Sequence, residues 1–512
     1  EKDVFSCLSR LKSVILHYQF LLKSVNFSPY FILKSVILWS DFLLKSVKFS
    51  YCFILKSVIA MLYRKIETYI ESHLTSDSDK ILILEGARQI GKSYIIREVG
   101  KRLFRNFVEV NFVLDDEGKQ IFKNVKTPED FYLNLSMIAG NNLDNKDNTL
   151  IFLDEIQQYP QILTMLKFFR QDGRYCFIAS GSLLGIALRS STSIPVGSII
   201  RKEMYQLDFE EFLIANGFGK EALKVMRQCY KERKSVSEEM HNRVMDLFRK
   251  YLLVGGMPDA VNTYLSTHNI VKVREIQNSI SVLYGDDASK YEQDHGRNLL
   301  IRRIYDMIPS QMENKKKRIV AKDIQNKQGD RFSRYTEEFE YLVASGIAMD
   351  VHAISNPKYP LKESVMKNLL KLYLNDVGML TSQLYRNNLR PILGDENSIN
   401  LGSVYESVVA QELKAHGHKL FYYDNRQRGE VDFLIDDYSA LSILPVEVKS
   451  GKDYTVHSAL NNLLSIPDYH VNYGLVLSNE REVKQVEKVT YMPIYYVMFI
   501  DSTGICDNEI YF

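Results

Sequence analysis

Two short stretches of the chain carry residue types that handle phosphate. In the first, Gly86-Ala87-Arg88-Gln89-Ile90-Gly91-Lys92-Ser93, two glycines frame a loop that ends in an ammonium and a hydroxyl, with Tyr94 following. Glycines let such a loop turn tightly, so that its N–H groups face phosphate oxygens, and a helix starting at its end adds a favourable dipole. Lys92 then reaches the β- and γ-phosphates of a nucleotide, and Ser93 binds Mg²⁺. The second stretch, Asp154-Glu155, stands some sixty residues further on. Asp154 suits the Mg²⁺ shell, and Glu155 can take the proton of an attacking water. These residues point to ATP hydrolysis with Mg²⁺, Lys92 and Glu155 being catalytic and residues 86–94 holding the nucleotide.

Ser180-Gly181-Ser182 follows a third apolar run, Tyr175 to Ala179. A hydroxyl there can sense the γ-phosphate, although Ser-Gly-Ser is also ordinary loop composition. Arg189 and Arg201 lie in the next Ser/Gly-rich stretch. Either can contact phosphate in its own subunit or a neighbour's, or simply be a surface arginine.

Elements must place these groups. Ile81-Leu82-Ile83-Leu84 before the loop and Leu150-Ile151-Phe152-Leu153 before the carboxylates are runs of buried-strand length, and an amphipathic stretch follows Ser93. Carboxylates at the carboxyl end of a strand sit where open α/β sheets bind ligands. Helical patterns fill residues 216–310, interrupted by a turn at Gly255-Gly256-Met257-Pro258, and read as a lid. Residues 311–370 hold Lys315-Lys316-Lys317-Arg318, a helical stretch from Ser333 to Ala344, and alternation from Ile347 to Ile354, the order of a winged helix. The basic run can meet DNA phosphates, or be a solvated loop beside a packing domain.

Residues 371–512 bring a second constellation. Glu430-Val431-Asp432 and Glu447-Val448-Lys449 lie on two successive strand-like segments. Residues two apart share a strand face, so the carboxylates of Glu430, Asp432 and Glu447 gather with the ammonium of Lys449. Such a set can hold a metal and activate water, or form cross-strand ion pairs.

The bulk composition is that of a globular protein of about three domains, 46% hydrophobic and 25% charged, with a net charge of only +2. Any nucleic-acid contact must therefore be local. Cys7, Cys52, Cys176, Cys229 and Cys506 form no ligand-like cluster, which fits a reducing cytoplasm, and no stretch is apolar enough for stable membrane insertion. Residues 1–60 repeat Leu-Lys-Ser-Val at intervals of eleven, from Leu11 to Leu55. This leader is read as a translated tandem repeat ahead of Met61, with a supercoiled helix or a membrane-surface anchor as alternatives.

From Met61 to its end the chain resembles the bacterial and archaeal AAA-type ATPases that carry a C-terminal domain of unknown function with a nuclease-like core. The resemblance rests on Leu84 to Ser93, Phe152-Leu-Asp-Glu-Ile-Gln157, Ser180-Gly-Ser182, Leu207-Asp-Phe-Glu-Glu-Phe-Leu213 and Leu253-Val-Gly-Gly-Met-Pro258. Leu374-Asn-Asp-Val-Gly-Met-Leu380 and Gly402-Ser-Val-Tyr-Glu406 also match. It implies an α/β fold with a P-loop ATPase domain over residues 61–215, the lid and winged-helix-like segments, and a restriction-endonuclease-like α/β domain. The second constellation is similar to the PD-(D/E)xK nuclease core, which implies Glu406, Asp432, Glu447 and Lys449 as its site. Two departures stand out: Gly197-Ser-Ile-Ile-Arg201 replaces the Gly-Arg of the family, and Val431 replaces a proline.

The leading reading is an ATP hydrolase coupled to the nuclease-like domain and acting on DNA. The alternatives are a nucleotide-dependent switch or scaffold with little turnover, working with a partner protein or as a homo-oligomer, and an ATP-gated DNA nuclease.

Overall fold

Apolar runs that must be covered on both faces settle into the middle of a parallel sheet. In the computed structural model β1 (Ile81–Glu85) and β3 (Thr149–Asp154) are buried along their whole length. With β2 (Asn106–Asn111), β4 (Cys176–Gly181) and β5 (Ile199–Glu203) they form an all-parallel sheet of order β2-β3-β4-β1-β5. Residues 62–182, 197–290, 295–314, 317–325, 331–393, 401–451 and 453–502 are described. The leader, Arg189, and Lys315 and Lys316 of the basic run lie outside them, as do Cys7, Cys52 and Cys506.

Around this sheet lie α1 (Lys65–Thr75), α2 (Lys92–Leu103), α3 (Phe112–Glu117), α4 (Pro128–Ala139), α5 (Pro160–Asp172) and α6 (Phe209–Ala215). Alternate β1 residues serve two apolar cores, Leu82 and Leu84 one, Ile81 and Ile83 the other. Helices then dominate, as the sequence pattern requires: α7 (Lys220–Lys231), α8 (Glu238–Val254), α9 (Pro258–Thr267), α10 (Ile270–Lys290) and α11 (His295–Met312). The expected turn at Gly255 to Pro258 separates α8 from α9, with Pro258 opening α9.

After α12 (Ala321–Gln325) and α13 (Thr336–Ala344) come β6 (Ala348–Ile354) and β7 (Val365–Leu374) as an antiparallel hairpin. This is the element order expected of a winged helix, but only the β7 side of the hairpin is a free edge. Strand β8 (Phe421–Asn425) pairs with β6, covering N–H and C=O groups that would otherwise be exposed. The hairpin thus belongs to an eight-stranded mixed sheet, β12-β13-β11-β10-β9-β8-β6-β7, and residue 370, where a segment boundary was expected, falls inside β7. The remaining elements are α14 (Val377–Tyr385), α15 (Arg390–Leu393), α16 (Gly402–Ala415), β9 (Gly429–Asp437), β10 (Ser442–Val448), α17 (Ser458–Leu464), β11 (Gly474–Ser478), β12 (Lys484–Val486) and β13 (Val489–Pro493).

Three of the sequence motifs meet in one buried junction. Asp208 and Glu211 form a capping box on α6, and the N–H of Leu207 donates to the Gly256 carbonyl at 2.8 Å. Asp376, capping α14, accepts the Gly256 N–H at 2.7 Å and the Met379 N–H at 2.9 Å. Burial pushes the Asp376 carboxyl up to about 6. From α16, Glu412 accepts the Phe209 N–H at 3.0 Å and the Tyr251 hydroxyl at 3.1 Å. No helix among the described residues is long and apolar enough to cross a membrane.

Candidate functional site

The loop between β1 and α2 leaves little choice of residue. Gly86 has φ +142°, and a Cβ there would lie 2.2 Å from the Met204 carbonyl oxygen. Lys92, the first residue of α2, folds back so that Nζ donates to the carbonyl oxygens of Gly86 at 3.0 Å and Ala87 at 2.7 Å. Desolvation brings its ammonium down to about 8, against the opposing pull of Glu155 and Asp154.

Sheet order sets the carboxylates beside the loop, because β4 alone separates β3 from β1. Asp154 ends β3 and is 2% exposed. Ser93 Oγ donates to its Oδ1 at 2.9 Å, Ser180 Oγ donates to the same oxygen, and Asn111 Nδ2 donates to Oδ2 at 3.0 Å. Desolvation nevertheless raises the Asp154 pKa. The Arg97 guanidinium approaches only to 3.9 Å. A buried carboxylate short of countercharge, with the Ser93 hydroxyl on it, fits a divalent cation.

Glu155 sits at φ +55°, a left-handed conformation that costs a non-glycine residue on the order of 1 kcal/mol or more and that collects at functional sites. Its Oε2 accepts from Ser182 Oγ at 3.2 Å and from Gln157 Nε2. Both candidate sensor serines therefore touch the acidic pair. Arg201 does not join them: its guanidinium grips Glu85 at the end of β1, with Nη2 2.6 Å from Oε2, on the β5 side.

Sequence reasoning missed several partners of the loop. Asn111 ends β2 in register with Asp154. Arg88 pairs with Asp287 of α10 at 2.8 Å, and its carbonyl accepts the Tyr284 hydroxyl at 2.8 Å. Arg64, buried ahead of α1, donates to the Ile90 carbonyl at 3.0 Å and to Glu211 Oε2 at 3.1 Å, tying the loop to the junction. A cavity of about 850 Å³ adjoins the loop, bordered by Gly86, Ala87, Arg201, Phe339 and Asp350.

The second constellation also assembles. Register puts Asp432 of β9 across from Glu447 of β10, while Glu406 reaches them from α16. Lys449 Nζ donates to Glu447 Oε1 at 2.9 Å. Lys317 and Arg318 of the basic run are not the solvated charges expected, since Lys317 pairs with Glu406 and Arg318 with Asp424 and Glu430. Among the described residues no group of three or more His, Cys, Asp or Glu is arranged to hold a metal ion. Lys317 and Lys449 instead contact the Glu406 and Glu447 oxygens that the expected metal would take.

A parallel sheet of this order, with a glycine loop and lysine after β1 and a buried Asp154 at the end of β3 followed by Glu155, defines a P-loop ATPase domain of the AAA type. Residues 78–213 match the family model described as an AAA domain. Residues 245–390 and 401–497 match two families described only as domains of unknown function, DUF8612 and DUF4143. No curated protein matches the chain.

Among solved structures, a Walker-type ATPase of Pyrococcus abyssi is 14% identical, with 63% of this chain and 96% of that one covered at a TM-score of 0.38. The Aeropyrum pernix Orc1 protein, solved in complex with DNA, is 11% identical over 65% and 91% of the two chains at 0.28. The Thermotoga maritima RuvB branch migration motor is 13% identical over 56% and 89% at 0.27. At such scores these likenesses carry no argument about function.

Proposed function

We propose that this chain hydrolyses ATP, and that the joining of Ser93 to Asp154 and of Ser182 to Glu155 at the sheet's carboxyl edge carries that reading. Lys92 leaves the Gly86 and Ala87 carbonyls to bind the β- and γ-phosphates, its charge opposing theirs. Ser93 and Asp154 would hold Mg²⁺, which when bound neutralises charge developing on the phosphates. Glu155, fixed by Ser182 and Gln157, orients a water for in-line attack and accepts its proton. The adjoining cavity is of a size that takes a nucleoside.

The test is phosphate release by the full chain with and without Mg²⁺ and DNA. Turnover that needs Mg²⁺ and disappears in Lys92→Ala is expected. ATP binding without turnover in every condition would leave the second reading, a nucleotide-dependent switch. That reading draws on the Arg88–Asp287 and Tyr284–Arg88 contacts, through which occupancy of the loop is felt by the helical segment. Acceleration by DNA would support action on DNA through the winged-helix-like segment. Because Lys317 and Arg318 are already paired, DNA contact through them requires breaking those pairs.

Binding should depend on pH through Lys92. Phosphate favours the ammonium, so the bound pKa lies above the free value of about 8, and binding above that pH takes up a proton. Affinity should hold near pH 7.5 and fall as pH rises beyond 8, by up to about tenfold per unit. Titration calorimetry in two buffers of different ionisation enthalpy would detect the proton uptake. A constant affinity up to pH 9.5 would contradict the assignment.

A further inference from the structure

The acidic cluster of the C-terminal sheet already contains its cations. Lys371 of β7 is fully buried, with Nζ 2.6 Å from Glu430 Oε1, 4.0 Å from Glu406 Oε2 and 4.6 Å from the centre of the Tyr422 ring. Lys317 donates to Glu406 Oε1, and the Tyr373 hydroxyl donates to Oε2 at 3.3 Å. Asp432 Oδ2 accepts the Val448 N–H at 2.8 Å. Glu447 Oε1 is taken by Lys449. A divalent ion on Glu406 would have to displace these donors; Glu447 Oε2 is buried without a partner, but an ion held there and on Asp432 would feel the charge of Lys371, which cannot swing to solvent.

We propose that Lys317 and Lys371 occupy the place of a metal in this cluster, making it a permanent ion lock that fastens the segment after α11 and the edge strand β7 to α16 and β9 rather than a divalent-cation centre. The two lysines come from outside the helix and strands that carry the acidic residues: Lys317 follows α11 and Lys371 lies in β7, whereas Glu406, Glu430 and Asp432 lie on α16 and β9. Folding therefore brings opposite charges together from separate parts of the chain. The two arrangements differ in sign. In a metal-free metal site the carboxylates repel, so neutralising one relieves strain; in an ion lock, neutralising one strands a buried ammonium.

Two measurements on the full chain test this. Mn²⁺ binding without nucleotide is followed by electron paramagnetic resonance in the wild type and in Asp432→Asn, and thermal unfolding is compared for the wild type, Glu406→Gln and Lys317→Met. The lock predicts no Mn²⁺ site that Asp432→Asn removes. It also predicts a Tm lower by several degrees for Glu406→Gln and by less for Lys317→Met, whose side chain is partly exposed. A wild-type Mn²⁺ site lost in Asp432→Asn overturns the proposal whatever the Tm values. Unchanged or raised Tm in both stability variants overturns it as well. Should Glu406→Gln fail to fold, the Mn²⁺ comparison and Lys317→Met still decide.

Discussion

Glu155→Gln should bind ATP with nearly wild-type affinity and lose about 10²- to 10⁴-fold in turnover, the usual contribution of a general base. The amide keeps the size of the side chain and can still meet Ser182 and Gln157, but it cannot accept the proton of the attacking water. The strained φ of +55° at this position belongs to the backbone and stays in the variant, so stability should change little. Single-turnover phosphate release beside equilibrium nucleotide binding separates the two effects. Turnover close to wild type would remove Glu155 from the mechanism and leave Asp154 with its bound serines as the organising group.

The largest loss of stability is expected from Gly256→Ala. A Cβ at this position would lie 2.0 Å from the Leu207 carbonyl oxygen, a backbone atom, while the N–H of Gly256 is held by Asp376 and its carbonyl by Leu207. Nothing there is a flexible side-chain end that can move aside. The substitution should cost on the order of 3 kcal/mol or more, at the upper end for overpacking. Gly219→Ala is the control, since its Cβ would enter open space. Urea unfolding should give a clearly lower midpoint for Gly256→Ala alone, and equal midpoints for both variants would contradict the crowding at the junction.

The ATPase site was legible because its signals are local. Strand, glycine loop, lysine and helix follow one another without interruption, and Asp154-Glu155 ends an apolar run just as Leu84-Glu85 does. Asn111, Arg64 and Asp287 left no such trace. Arg64 meets Glu211 at 147 residues' separation, and Arg88 meets Asp287 at 199. No periodicity encodes a contact over that distance. The motifs around Leu207, Gly256 and Asp376 could each be found, but their convergence could not, because backbone crowding appears only once three chain segments lie together. The basic run misled for a related reason. Four adjacent positive charges usually face water, and only the fold reveals that two of them answer carboxylates about ninety residues or more downstream.

Helix α16 holds Glu406 in the ion cluster and, less than two turns further on, Glu412 beneath the first N–H of α6. The ATPase segment thus leaves one of its own helix starts to be completed by a residue some two hundred positions away. Inheritance of the two halves should follow from this. A C-terminal half exchanged for that of a distant relative would have to bring its own acidic residue in the same turn of the helix that stands for α16, or leave the Phe209 N–H unpaired in the interior. The halves are therefore expected to have diverged together, with residues 251 and 412 changing as a pair rather than singly.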